Sequence, residues 1–482
     1  MSTRIVGPFN RVEGDLEVSL EITDGRVVSA QVNSPMYRGF EQMLHGKAPA
    51  DALVIVPRIC GICSVSQSHA AATALRHLSG HEAPPNGQLA TCLITACENL
   101  ADHLTHFYLF FMPDFARPIY RARPWIGQAE ARFKAETGAA MNEVLPARAE
   151  FMHLMGLMAG KWPHTLSLQP GGSAKPLAQA EVLGLITLLR GFRRFLERHT
   201  FGDALENVAG LTSLAALQRW RSNRQGDLAF FLDLADDLKL DRLGRAEDRF
   251  LSFGAYQSGD GPLFPAGVWD GVPHALDSHA ISEDVSHAWM ASAEDGAPLP
   301  PARGLTLPSP DKPDAYTWCK APRYGGRVME TGALARQMVA GHPLIRELVA
   351  TSGGSVLARV LARLLELAIV LPEMERWAAA LQPGEPWCHH DNARAEDGHG
   401  VGLVEAARGA LGHWLTVRHG RIESYQIIAP TTWNFSPRDQ AETPGALEQA
   451  LVGVEVEDGE DTPVAVQHVV RSFDPCMVCT VH

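Results

Sequence analysis

A chain of 482 residues with 46% hydrophobic and 20% charged side chains can bury a sizeable core, which excludes a disordered chain or a disulfide-stapled miniprotein. Its 42 Lys and Arg against 55 Asp and Glu leave a formal charge of −13, and a net-acidic chain argues against general attraction to nucleic acid or anionic lipid. No long apolar run and no signal-peptide or twin-Arg pattern at the start is present, so the expectation is a cytoplasmic protein without direct membrane insertion.

Leu16, Val18, Leu20 and Ile22 alternate ahead of Asp24-Gly25, with Val28 and Val32 beyond, and residues 15–33 read as a β-hairpin. A helix is predicted from Ser64, directly after Cys60-Gly-Ile-Cys63, and 90–112 form a long apolar segment carrying Cys92, Cys97, Asp102, His103 and His106. Leu185, Leu188, Leu189, Phe192 and Leu196 make one apolar stripe on a helix near 180–199. Pro298, Pro300, Pro301, Pro308, Pro310 and Pro313 predict an extended surface connection that is not a packed element. A further helix starts at an N-cap Ser355, runs through Leu357, Leu361, Leu364 and Ala368, and is expected to end or kink at Pro372. Trp414 and Thr416, a His419-Gly420 turn, then Ile422, Tyr425 and Ile427 predict a second hairpin. The fold class is α+β and helix-dominated, with small sheets near both termini.

Eight cysteines are too few for a secreted disulfide framework, but four form two Cys-x-x-Cys pairs near opposite ends, Cys60/Cys63 and Cys476/Cys479. Four thiolates can surround one soft or borderline metal, and by spacing alone a structural zinc site is the first reading, ahead of a redox dithiol. Cys92, Cys97, Cys319 and Cys388 lack such spacing and read as ordinary thiols, and His389-His390 near Asp391 and His399 reads as a polar loop.

The flanks of the two pairs, Arg58 to Cys63 and Asp474 to His482, resemble the nickel-binding motifs of the large subunit of NiFe hydrogenases. The resemblance extends through Gly7-Pro-Phe-Asn-Arg-Val-Glu-Gly14, Met36-Tyr-Arg-Gly-Phe-Glu41, Gly160-Lys-Trp-Pro-His164 with Gly171-Gly172, Lys320-Ala-Pro-Arg-Tyr324, Glu405-Ala-Ala-Arg-Gly409 with His413-Trp414, and Pro430-Thr-Thr-Trp-Asn434. The same fold serves the quinone-module subunit of respiratory complex I, which lacks the cysteine ligands. The resemblance implies a single large-subunit domain over 1–482 built around a central bundle of long helices. Its sub-regions are an N-terminal hairpin region (1–50), a helical core (51–290), a Pro-rich connection (291–315) and a C-terminal region with the second nickel motif (316–482).

By the same resemblance all four cysteines bind nickel, Cys60 and Cys476 as terminal ligands and Cys63 and Cys479 as bridges to an iron carrying CO and cyanide. Such a centre would split H2 heterolytically, with the Cys476 thiolate as first base and Glu13 as the proton gate beside it. Taken alone, Glu13 is an ordinary ionic cap. Arg408, held by Asp102 and Asp474, would lie over the metals, and Thr431 would donate to a cyanide. Glu41, the carbonyl of Ile427 and His482 resemble the ligands of the family's second site, which takes Mg2+ or Fe2+, and family maturation ends the chain at that histidine.

Departures point to a subtype. Energy-conserving relatives place His where Gln67 stands, tend to have His at the position of Asp15 and Pro at Ala407, and carry smaller residues than Ile62 and Phe110 at the inner end of the gas channel. Gln67, Ile62 and Phe110 together resemble the regulatory, H2-sensing hydrogenases, which are oxygen-tolerant, turn over slowly and signal to a sensor histidine kinase. With four cysteines given to nickel no iron–sulfur motif is left. Those clusters would sit only in a small subunit, within a heterodimer or a dimer of heterodimers. The competing reading is an energy-conserving uptake hydrogenase feeding a respiratory or cofactor acceptor.

Overall fold

A computed structural model describes residues 2–80, 82–389, 397–457, 460 and 462–482. Strand β1 (Ser2–Val6) pairs antiparallel with β2 (Glu17–Thr23), which pairs with β3 (Arg26–Asn33). Strict alternation puts Val18, Leu20 and Ile22 on the buried face, and Asp24 and Gly25, both at positive φ (52° and 72°), form the tight turn that matches the strand twist. At the other end Gly398–Ala406, Gly409–Arg418 and Arg421–Ile428 form a second antiparallel meander, one strand more than the predicted hairpin.

The helices supply the centre. Helix α1 (Ser64–Ser79) begins one residue after Cys63, and α2 (Pro85–Thr105) continues as a single wider turn over His106–Phe111. Helix α3 (Gln179–Phe195) packs against the long α4 (Val356–Ala380), which also packs against α2, around a common apolar core. The strand Gly398–Ala406 lies directly on α1 because both surfaces are small: a Cβ at Gly402 would come 2.0 Å from the carbonyl of Ala70.

Two expectations need correction and one is narrowed. Of the two outcomes expected at Pro372, an end or a kink, the end does not occur: α4 runs on to Ala380. Proline forfeits one hydrogen bond, and burial of Leu371, Met374, Trp377 and Ala378 around it outweighs that local cost. The 51–290 region is not wholly helical, since Phe250–Ser258 and Gly261–Trp269 form a hairpin and Ile281–Asp284 pairs with Ala321–Tyr324. Phe250, Leu251, Ser252 and Phe253 are all buried, so this strand lacks the alternation that would reveal it. The Pro-rich stretch is extended but not merely superficial: Pro301 and Thr306 are buried, and Leu299 bridges to Glu283. No helix among the described residues is long and apolar enough to cross a membrane. Of the predicted polar loop, His390 and Asp391 lie outside the described residues.

Candidate metal centre

The two Cys-x-x-Cys turns, 416 residues apart, meet in the interior. One ligand atom from each of Cys60, Cys63, Cys476 and Cys479 lies within 4.8 Å of the others, and all four residues are buried. Cys60 Sγ stands 3.4 Å from Cys476 Sγ and Cys63 Sγ 2.8 Å from Cys479 Sγ, too far for a disulfide of ~2.05 Å. Both turns are held from outside. Arg38 donates to the carbonyl of Ile59 (2.5 Å) and also to that of Val478, gripping one turn with each contact. Glu98 on α2 accepts the backbone N–H groups of Val65 and Ser66 (both 2.9 Å), the Ser66 hydroxyl (3.0 Å) and the Trp162 indole (3.0 Å), so a buried carboxylate caps the helix that directly follows Cys63.

The sulfurs do not satisfy one another. Hydrogen bonds from the neighbouring thiols, Cys476 first, hold Cys60 well below the usual thiol range. The same contacts raise Cys63, and burial raises Cys476 and Cys479. One thiolate is tolerable in this pocket and four are not, unless a cation compensates them. The donor set therefore fits a soft or borderline metal.

Glu13 pairs with Cys476 through the backbone: Met477 N–H donates to Glu13 O (2.7 Å) and Glu13 N–H to Pro475 O (3.4 Å). Its half-buried carboxyl is raised by desolvation and the nearby Cys60 charge, against the pull of Arg408. Arg408 is buried, with Nη1 2.9 Å from Asp102 Oδ2, Nη2 3.1 Å from Asp474 Oδ1 and Nε donating to Asp474 O (2.9 Å). Burial pushes Asp102 up to about 7 despite that cation. Burial acts on Asp474 in the same sense, but Arg408, His106 and Arg363 hold it below the ordinary carboxylate value. Thr431 Oγ1 accepts the N–H of Cys476 (3.3 Å), leaving its own proton free to point at a ligand.

Ile62 and Phe110 line one small cavity of about 30 Å³ (the space open to the centre of a water-sized sphere), together with Glu98, Ala101, Asp102 and Arg148. Gln67 is buried behind Cys63, and its Oε1 accepts from His413 Nε2 (2.9 Å). His413 Nδ1 must then accept the Tyr425 hydroxyl (2.8 Å), fixing a neutral ring whose pKa burial lowers to about 3.

A second constellation is chemically harder. His482 Nδ1 lies 3.0 Å from Cys479 O and Nε2 2.8 Å from Ile427 O, with Glu41 Oε1 3.4 Å from Nε2. If Nδ1 donates, the Nε2 lone pair faces the carbonyl and the carboxylate, a convergence of electron pairs that a divalent cation would reconcile. Glu41 is otherwise well satisfied: the Ile427 N–H (2.7 Å) and Thr306 donate to it, and although burial opposes ionisation, Lys320 and His482 bring its pKa down to about 2. Lys320 also reaches Glu283 (3.3 Å), Thr306 (2.8 Å) and Gln426 (2.9 Å). Glu98, Glu283, Thr306 and Gln426 were not singled out from sequence, where nothing but long-range contact marks them. Cys92, Cys97 and Cys319 are buried and Cys388 is half-buried, each free and raised by burial.

Three comparisons bear on this site. A family profile described as nickel-dependent hydrogenase matches residues 38–124 and 125–482. The chain is 30% identical over 513 residues to the large subunit of the periplasmic NiFeSe hydrogenase of Desulfomicrobium baculatum, covering 99% of this chain and 94% of that one. It is 27% identical over 589 residues to the uptake hydrogenase large subunit of Azotobacter chroococcum mcd 1, covering 99% and 95%. The solved H2-activated NiFeSe hydrogenase of Dm. baculatum is similar over 100% of both chains, with a TM-score of 0.86 at 28% identity.

Proposed function

The chain belongs to the nickel-dependent hydrogenases as a large, catalytic subunit, and from that premise we propose that it binds and cleaves H2 as a cytoplasmic H2 sensor. The observation that carries the chemistry is the group of four buried sulfurs within 4.8 Å of one another. Cys60, Cys63, Cys476 and Cys479 would hold a nickel–iron centre whose iron carries CO and cyanide. The bound centre supplies the Lewis acidity that makes H2 acidic. The Cys476 thiolate receives the proton and the Glu13 carboxyl, beside it through the paired backbone, carries it away. Arg408, fixed by Asp102 and Asp474, provides an immobile cation and donors above the sulfurs, and Thr431 provides a hydroxyl donor. Glu41, Ile427 O and His482 would hold Mg2+ or Fe2+.

Support for the sensing role comes from Gln67, locked against His413, and from Ile62 and Phe110 sharing one narrow cavity. The partners of this reading are an iron–sulfur small subunit and a sensor histidine kinase, with the whole chain acting as one domain. Similarity to an uptake hydrogenase favours the second reading, in which electrons pass to a respiratory or cofactor acceptor. Infrared spectroscopy of the purified complex under H2 and then O2 separates them. CO and cyanide bands with about one nickel per chain establish the centre, and bands that persist in O2 with slow turnover establish the sensor. Stoichiometric zinc without nickel overturns both.

A further inference from the structure

Arg471 and Asp114 lie outside the ligand set, yet they join the two segments on which proton transfer depends. Asp114 is fully buried and faces Arg471 (Nη1 to Oδ2, 2.5 Å), Arg11, His468 (3.6 Å) and Arg117 (3.8 Å). Arg471, itself 1% exposed, extends its other nitrogen to the N-terminal loop, donating to Asn10 O (3.0 Å) and Asn10 Oδ1 (2.6 Å). Its carbonyl works on the opposite side, accepting the Asp474 N–H (3.0 Å) and His106 Nε2–H (2.7 Å). One residue thus holds the loop three residues before Glu13 with its guanidinium and the turn two residues before Cys476 with its backbone.

We propose that Arg471, charge-balanced by Asp114, is a positioning residue that clamps the Glu13 loop to the Cys476 turn and so sets the proton-transfer distance. The inference rests on the reading of Glu13 as the proton relay. A rigid clamp is needed there because Glu13 sits on a loop, is half-exposed, and is tied to the cysteine turn by only two backbone hydrogen bonds, one of them long at 3.4 Å. Misplacement of order 1 Å between reacting groups can cost about 100-fold in rate.

The test uses Arg471→Lys in the intact complex. A lysine keeps the charge opposite Asp114 but cannot span Asp114 and both Asn10 oxygens. The amides of residues 7–14 should take up deuterium about tenfold faster, and H2/D+ exchange should fall about tenfold, with nickel content and infrared bands unchanged. In a Glu13→Gln background the same substitution should add no further loss, since the clamp acts through Glu13. A loosened loop with unimpaired exchange, no change in either, or losses that add to those of Glu13→Gln would each overturn the clamp. Should Arg471→Lys fail to accumulate nickel, Asn10→Ala deletes a single acceptor on an exposed residue. It should shift both readouts the same way by about threefold, and no shift would overturn the proposal. Unimpaired exchange in Glu13→Gln alone would instead remove the relay on which the clamp rests.

Discussion

The sulfur site and the oxygen-rich site beside it share the C-terminal segment, with Cys479 in one and His482 in the other, but they are built on opposite principles. The sulfur site is unsatisfied within itself: four buried thiols crowd together, and the order around them comes from Arg38, Glu98 and the Glu13 backbone. Around Glu41 the carboxylate is already satisfied by Lys320, Thr306 and the Ile427 N–H without any ion, which leaves only His482 Nε2 against its two oxygen neighbours. A cation would thus relieve more at the first site than at the second. The two should respond differently to loss of metal and of ligands.

The largest effect is expected at the sulfur site. Cys476→Ser replaces a soft donor by a hard, weakly acidic one, and H2-dependent activity should vanish even if protein accumulates; elemental analysis and H2/D+ exchange check this. Retained activity would mean that Cys476 is not a terminal ligand. His482→Ala should be far milder for nickel, because His482 belongs to the oxygen-rich group and not to the four sulfurs.

Next in size is the scaffold of the sulfur site. Glu98→Ala leaves the buried N–H groups of Val65 and Ser66 without their acceptor, at roughly 1–3 kcal/mol for each unsatisfied group. The variant should melt earlier and take up less nickel, which thermal unfolding and metal content would show. If nickel content stayed at the parent level, the cap would be a matter of stability alone.

Smaller again is the response of the oxygen-rich site to its ion. Dialysis against a chelator should leave nickel in place yet lower the melting temperature. Adding Mg2+ back to ~100 times its Kd should restore about 2.7 kcal/mol. A melting temperature indifferent to chelator and Mg2+ would show that Lys320 and its partners complete this site by themselves.

How much of this was legible beforehand follows the range of the interactions. Alternation around Asp24-Gly25 and the α3 stripe are local patterns and read directly. The strand that opens the 250–269 hairpin is buried without a break over Phe250–Phe253 and shows no alternation there, and α4 runs on past Pro372 because tertiary packing outweighs one lost hydrogen bond. At the site, the cysteine pairs announced themselves by spacing, and the motifs around Arg408 and Glu41 by resemblance. Glu98, Arg471 and Asp114 carry no local mark, because their partners lie 32, 461 and 357 positions away.

The smallest thermodynamic change is expected where the functional consequence decides between the two readings. Ile62 and Phe110 face a cavity of about 30 Å³ that also touches Asp102, the partner of Arg408, and on the proposed reading this cavity lies on the gas path to the sulfurs. Replacing them by Val and Leu removes only a few methylene volumes, about 1–3 kcal/mol of packing in all, and should leave fold and nickel content intact. On that reading the same volume is large beside a diatomic molecule, and the bulk of the two side chains would hinder O2 more than H2. The double variant should keep its H2 response in the absence of air and lose it progressively in O2, while the parent does not. Because Glu98 and Arg148 share the cavity wall, the change must be made without disturbing them, which is why both replacements are apolar and smaller. Equal oxygen tolerance in parent and variant would show that access is not the protective device. The support for sensing would then rest on Gln67 and His413 alone.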